Sequence, residues 1–424
     1  MSKHRAIGMA AFALLMISAI PAASGEEVAD ALTLQDCYRL ALKQSEKVAI
    51  RQEIIKQNEG RILQALSGAL PRTSYVLSKK RQDGTGDSAF SLKTVPERKF
   101  TFSQPIFSGF KEFAAISGAK AERRQRQEER RRAEQLLLVD VSDAFYLLQQ
   151  QREDMEALET IRTALEQRLQ DLEARERLGR SRQSEVVGSG SQLARIDAEL
   201  EQARSEETVA RQLLEFLTGR ETIEAIEHQE DALPAMGAEA EYVAKVSNRP
   251  DVRSAAAAAK VASRQLFADQ AQLWPTVSLE GNYYTKRAGV TEGIDWDAML
   301  VMEVPLFQGG KAVGKVRESA SESRQAKLLA QEALRSGQLE IRDLYTKLRS
   351  SIARTEALGK ARDAAQESYR LQVEDYRLNL VNNLEVLQAL QALEDARRTT
   401  IAARYETRRL YWQLRAATGE GLNP

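Results

Sequence analysis

Few side chains in this sequence are placed to do covalent chemistry. Its 424 residues hold one cysteine, Cys37, and two histidines, His4 and His228. A single cysteine allows no intrachain disulfide and no cysteine-based metal cluster. A histidine-based triad would have only His228 to use, and it sits in a segment that links two periodic regions. Gly309-Gly310-Lys311-Ala312 lacks the upstream glycine spacing and the final Ser or Thr of a phosphate loop. Gly179-Arg180-Ser181-Arg182-Gln183 lacks the closing glycine of a nucleophile elbow. Carboxylate pairs are plentiful, but in charged helices they read as solvated faces. No enzyme activity, cofactor or metal is expected. Nor is a nucleic-acid partner, because 61 basic and 61 acidic residues leave no basic excess.

The informative residues are those that organise the backbone. Gln104-Pro105-Ile106-Phe107-Ser108-Gly109-Phe110-Lys111 recurs as Val304-Pro305-Leu306-Phe307-Gln308-Gly309-Gly310-Lys311, two hundred residues on. Each copy ends a short alternating segment and opens a long helical one. Proline suits the end of an edge strand, since it donates no ladder hydrogen bond. Glycine lets the backbone turn abruptly. Pro105, Gly109, Pro305 and Gly309 therefore mark two strand-to-helix joints. The same register pairs Asp143 with Asp343, Leu178 with Leu378, Glu185 with Glu385, and Thr218-Gly219 with Thr418-Gly419. The chain is a duplication of two large halves.

Residues 1–24 have the order of a signal peptide: Lys3, His4 and Arg5, then an apolar run to Ile20, then Ala22-Ala23-Ser24. The mature chain should start near Gly25 or Glu26. Beyond Ile20 no apolar run approaches ~20 residues, so helical membrane spans are excluded. Cys37 falls inside a helical pattern and reads as a buried structural thiol.

The first repeat covers residues 25–219. A helical stretch from 33 to 69 starts at Thr33, with Asp36 placed for a capping box. Strands follow over about 72–80 and 98–106, then a helical hairpin over 109–217. Leu158, Leu165 and Leu172, with Ile161 and Leu169 between, give the hairpin coiled-coil spacing. At about 1.5 Å per residue its first arm is roughly 100 Å long. Residues 220–248 form a connecting subdomain. The second repeat, 249–424, opens at Asn248-Arg249-Pro250-Asp251 and carries strands over about 276–286 and 296–305 and a hairpin over 310–417.

Val277 and Leu279 alternate with Ser278 and Glu280, and Leu300 and Met302 alternate with Glu303. Strands of about ten residues with one apolar face have the dimensions of outer-membrane barrel strands. Val277, Leu279, Leu300 and Met302 are the expected lipid-facing set. Four strands are too few to close a barrel, whose minimum is about eight. An open edge is not tolerated in lipid. The barrel must then be shared: two chains would give eight strands and three would give twelve. A soluble sheet on a helical bundle is the plainer alternative.

This order of helix, Pro-ended strand pair, long helix, turn and return helix, given twice, resembles the TolC-type outer-membrane efflux proteins. Leu32-Thr33-Leu34-Gln35-Asp36, Asn248-Arg249-Pro250-Asp251-Val252 and Gln104 to Gly109 are similar to its recurrent phrases. The resemblance implies a mainly α fold with β: duplicated long hairpins in a coiled-coil α-barrel, and a trimeric twelve-stranded transmembrane β-barrel. It implies a homotrimer in the bacterial outer membrane, extending into the periplasm and closed at the periplasmic end. It also implies a periplasmic adaptor and an inner-membrane transporter as partners, in tripartite efflux or type I secretion. The rival is a secreted periplasmic coiled-coil scaffold or adaptor without a channel.

The family's constriction lies at the hairpin turns. Tyr376 fits its tyrosine and Glu385 one acidic position. Val381 stands where the best-known member has a basic residue, and Gln388 where it has a second acidic one. Ser184 and Glu185 occupy the corresponding turn of the first half. These six are the gate candidates. The simpler reading of Glu185 and Glu385 is that each is a favourable charge at a helix N-terminus. Gly188 and Gly190 sit early in a return helix with no physical account beyond flexibility near a tip.

Overall fold

The computed structural model describes residues 31–228 and 234–421. The signal-peptide region lies outside them. Thr33 caps α1 (Leu34–Gln44): its hydroxyl accepts the Asp36 N–H at 3.0 Å, and the Asp36 carboxylate accepts the Thr33 N–H. The stretch expected as one helix from 33 to 69 is two. Ser45 takes an extended backbone that ends α1, and its hydroxyl then caps α2 (Glu46–Ser67) by accepting from Val48 N.

Strands β1 (Arg72–Arg81) and β2 (Thr94–Ser108) lead into α3 (Lys111–Arg177), and α4 (Gln183–Thr218) returns. A short helix, α5 (Glu239–Ala244), precedes α6 (Pro250–Gln270), whose proline sits in the first turn, where no intrahelical N–H is needed. Strands β3 (Thr276–Lys286) and β4 (Trp296–Glu303) lead into α7 (Lys311–Arg377), and α8 (Asn383–Ala417) returns. Helices α3 and α7 are each 67 residues long and start at equivalent positions. The duplication is thus written in the backbone as well as in the residues. Among the described residues, no helix is long and apolar enough to cross a membrane.

The four strands form one antiparallel sheet in the order β1-β2-β3-β4. Helix α2 runs along the sheet-proximal part of α3, tied by Arg61–Glu122 at 2.7 Å and Arg51–Glu129 at 3.4 Å. Helix α4 covers the distal part, where Arg152–Glu207 at 3.1 Å and Arg162–Asp197 at 2.7 Å cross between the arms. Helix α6 packs on both α3 and α7.

The largest core gathers Leu34, Cys37 and Tyr38 of α1, Leu138, Val141 and Phe145 of α3, Leu214 of α4, and Tyr405 of α8. Cys37 is fully buried there, and burial pushes its thiol up to about 12, so it stays protonated and inert. Farther out, Leu158, Ile161 and Leu165 meet Ile196 and Leu200, with Leu390 of α8 closing the seam. That is the coiled-coil stripe expected from the seven-residue spacing.

Candidate functional site

At the two joints, Gly109 and Gly309 both take the left-handed backbone, at φ 64° and 59°. The next residue does so too, Phe110 at 62° and Gly310 at 84°. Two left-handed residues in succession swing the chain from strand to helix. At Gly109 a Cβ would also come within 3.0 Å of the Ala271 carbonyl oxygen. Phe110 bears the same conformation as a non-glycine, with its ring set edge-on to Phe107 at 5.3 Å.

Pro105 lies near the end of β2, past Ser103, the last residue paired with β1. It is paired on one side only, opposite Ser278 and beside a register shift that leaves Ile106 as the extra residue. A bulge is where a sheet tolerates a proline. Pro305 lies just beyond β4, which is an edge.

Register sorts the sheet into two faces. Val277 pairs with Met302 and Leu279 with Leu300, so these four share one face. Gly281–Ala298 and Tyr283–Trp296 extend it. Across β2 the same face continues through Phe102 opposite Gly281 and Phe100 opposite Tyr283. Tyr75 of β1 then packs on Phe100, with the ring centres 4.7 Å apart and the rings tilted by 42°. Most of these side chains are exposed, with Leu300 at 65% and Met302 at 63%.

The opposite face is largely polar and bonded to itself, with Val76 of β1 and Met299 and Val301 of β4 as its apolar members. Asp297 accepts from Asn282 at 2.7 Å and from the Tyr284 hydroxyl at 2.8 Å. The guanidinium of Arg287 lies 4.0 Å from the centre of the Tyr284 ring. Ser74 and Thr101 share a hydrogen bond of 2.6 Å between β1 and β2.

At the far ends of the long helices the two turns have one form. Leu178 and Leu378 end α3 and α7, and Gly179 and Asn379 follow at φ 70° and 56°. Arg180 N–H donates to Arg175 O at 2.8 Å, and Leu380 N–H to Asp375 O at 2.9 Å. This satisfies the last carbonyls of each helix and reverses the chain tightly.

The six gate candidates divide by environment. Glu385 accepts the Asn382 N–H at 3.0 Å, while Asn382 caps the first turn of α8 in return. Glu185 does the same at α4, accepting from the Ser181 hydroxyl and from Arg182 N–H. The Ser181 bond holds the Glu185 carboxyl below the usual carboxylate range, against a smaller opposing effect of burial. Both glutamates are therefore cap residues as well as tip charges. Ser184, Glu385 and Gln388 are exposed.

Tyr376 is buried, in a cluster with Leu172 and Val386 that Val186 and Val381 border. Arg168 places its guanidinium 3.7 Å from the centre of the Tyr376 ring, and Arg175 is 5.0 Å away. Arg168 also donates Nε and Nη2 to Asn383 Oδ1 at 3.0 and 2.8 Å. Asn383 in turn donates to Ser189 Oγ at 3.2 Å.

The tip of the first hairpin is thus joined to the second by residues that sequence reading passes over. Arg168 and Asn383 are 215 positions apart, and nothing local in either segment signals the pair. Asn383 has one clue, a second asparagine directly after the cap residue, facing an apolar seam. Gly188 and Gly190 both lie inside α4, and a Cβ on either would meet nothing within 4 Å.

The family model described as "Outer membrane efflux protein" matches residues 37–220 and 243–420. Nodulation protein T of Rhizobium leguminosarum bv. trifolii is 24% identical over 185 residues. That match spans 42% of this chain and 39% of the relative, well under half of either. Among solved structures, CusC has a TM-score of 0.82 at 16% identity, covering 92% of both chains. VceC of Vibrio cholerae has a TM-score of 0.81 at 20% identity, covering 92% of this chain and 97% of that one. The open state of MtrE of Neisseria gonorrhoeae has a TM-score of 0.78 at 18% identity, covering 92% and 89%. At these identities the likeness to the solved structures establishes the fold alone.

Proposed function

The chain belongs to the outer membrane efflux protein family, and on that premise we propose that three copies form an exit duct of the bacterial outer membrane. One observation carries the reading. The four-stranded sheet has two open edges, β1 and β4, one face of apolar and aromatic side chains that are mostly exposed, and one largely polar, self-bonded face. Open edges in lipid leave backbone groups unsatisfied. Pairing β4 of each copy with β1 of the next satisfies them, with the apolar face towards lipid and the polar face towards a water-filled lumen. Val277, Leu279, Leu300 and Met302 are then the lipid-facing residues.

The helices support the same assembly. Leu328, Leu329 and Leu339 of α7 and Val209 and Phe216 of α4 are large, apolar and more than half exposed in the single chain. Neighbouring copies would cover them. Helices of roughly 100 Å carry the lumen away from the membrane. The turns at their ends form the closed end, with Tyr376 and Val381 in the contact that holds it and Glu185, Glu385, Ser184 and Gln388 at its rim. Exposed Leu178, Leu378, Leu380 and Leu384 at these turns suit docking of a periplasmic adaptor, which links the duct to an inner-membrane transporter. The transporter selects the cargo and the duct passes it.

Extraction from outer membranes tests this. The expected result is a detergent-requiring, heat-modifiable trimer that conducts in planar bilayers. A soluble periplasmic monomer would support the scaffold reading instead.

A further inference from the structure

Between the tips and the main core, five charged side chains join the two hairpins. Arg398 of α8 donates Nε and Nη2 to Asp154 of α3 at 2.9 and 3.1 Å, and Nη1 to Glu199 of α4 at 2.7 Å. Arg195 of α4 donates to Glu394 of α8 at 2.9 Å and pairs with Glu199 at 3.0 Å. Three carboxylates therefore share two guanidiniums. Glu394 is the most enclosed of the five, only 1% exposed.

The charged groups acting on Glu394 are Glu199 and Arg195 of α4 and Arg398 of its own helix, with Asp154 of α3 held behind Arg398. Among the described residues, no α7 side chain bonds to the cluster. Burial first, then the hydrogen bond and charge of Glu199, push the Glu394 carboxyl up to about 7. Protonated, it donates to Glu199, and two carboxylates balance two guanidiniums. Ionised, it sets a buried negative charge against half-buried Glu199, a repulsion that Arg195 and Arg398 only partly offset.

We propose that this cluster is a proton-operated lock between the hairpins: protonation of Glu394 holds α8 against α3 and α4 and keeps the tunnel end closed, and ionisation releases it. The proposal rests on the reading of the chain as a duct. Asp154, Arg195 and Glu199 belong to the first hairpin, and Glu394 and Arg398 to the second, so relative movement of the hairpins must break these bonds. A carboxyl whose value is raised in the closed form adds stability that is present at low pH and lost as pH rises through the raised value. Acid should therefore tighten the lock, and pH above neutral should loosen it.

The test compares full-length wild type with Glu394→Gln, which cannot ionise but keeps shape and hydrogen bonding. Open probability in planar bilayers is read from about pH 6 to about pH 8, where one proton can shift the equilibrium by up to about tenfold per pH unit. The wild type should open more as pH rises, and Glu394→Gln should stay in the low-opening state throughout. In the detergent-solubilised protein, the infrared band of a protonated carboxyl should fade over the same interval in wild type and be missing in the variant. Hydrogen exchange of α8 amides, corrected for intrinsic rate, should rise in parallel in wild type alone. Equal pH profiles of opening in both proteins, or no carboxyl titration near neutrality, would overturn the lock. If neither protein conducts, the duct reading fails, and the infrared and exchange profiles still decide whether Glu394 joins the hairpins through its proton.

Discussion

The guanidinium of Arg168, on the first hairpin, stacks 3.7 Å from the centre of the Tyr376 ring, on the second. The contact uses the face of the ring, and the same guanidinium is held by Asn383. A stacked cation of this kind contributes about 0.5–2 kcal/mol. Arg168→Ala should therefore loosen the tips and raise channel conductance, while Tyr376→Phe keeps the ring and should change little. Conductance of the two single variants in planar bilayers checks the order. A larger effect from Tyr376→Phe would assign the gate to the hydroxyl instead.

That pair also marks where the sequence stops being legible. The joints, the two hairpins and the alternating strands follow from local spacing, because glycine, proline and apolar period act within a few residues. The two-hundred-residue register then fixes α3 and α7 as equals. Contacts between hairpins follow from supercoil and tilt, which no local pattern carries. Arg168 with Tyr376, and Arg195 with Glu394, are of that kind. Local reading also missed the break at Ser45, where a cap outweighs a continuous apolar stripe. At Pro105 the preference for an edge holds locally, since pairing with β1 ends at Ser103, and the bulge on the β3 side was the unforeseen part.

On the sheet, Leu279 and Leu300 sit directly opposite each other on the apolar face. An arginine at either should cost roughly 2–4 kcal/mol if the site is near mid-bilayer. Arginine at Met299, which pairs with Glu280 on the other face, should cost far less. Denaturant unfolding from lipid vesicles measures all three. Equal losses at 299 and 300 would contradict the assignment of faces.

Gly188 and Gly190 occupy helix interior with open space around them in the single chain. Gly188→Ala and Gly190→Ala should each stabilise α4 by up to about 1 kcal/mol, by reducing the freedom of the unfolded chain. Thermal unfolding of the detergent-solubilised protein reads that gain. If the glycines serve movement of the tip, the double variant should also open less often. A loss of stability would instead place a neighbouring copy against these positions.

Arg249 is a buried guanidinium that ties α6 to α7 and α8. It donates Nε and Nη2 to Asp251 at 3.0 and 2.7 Å, Nη2 to Glu340 at 2.6 Å, and Nη1 to the Ala417 carbonyl at 3.0 Å. Gly337 allows this approach, since a Cβ there would lie 3.1 Å from Arg249 Nε. Removing one partner from a buried pair costs about 3–5 kcal/mol. Asp251 and Glu340 keep partial access to water, so Arg249→Ala should fall at the lower end of that range. Arg249→Lys should recover only part of the loss, because an ammonium cannot fork to both carboxylates and the carbonyl together. The loss should also depend on pH. Burial alone would raise the Asp251 carboxyl, but the hydrogen bond and charge of Arg249 outweigh it and hold it below the usual range. A carboxyl lowered in the folded state adds stability above its unfolded value and loses it as pH falls through the folded one. The gap in melting temperature between wild type and Arg249→Ala should therefore be widest near neutral pH and narrow on acidification. A gap that stays constant into acid would mean that Arg249 acts by packing rather than through its ion pairs.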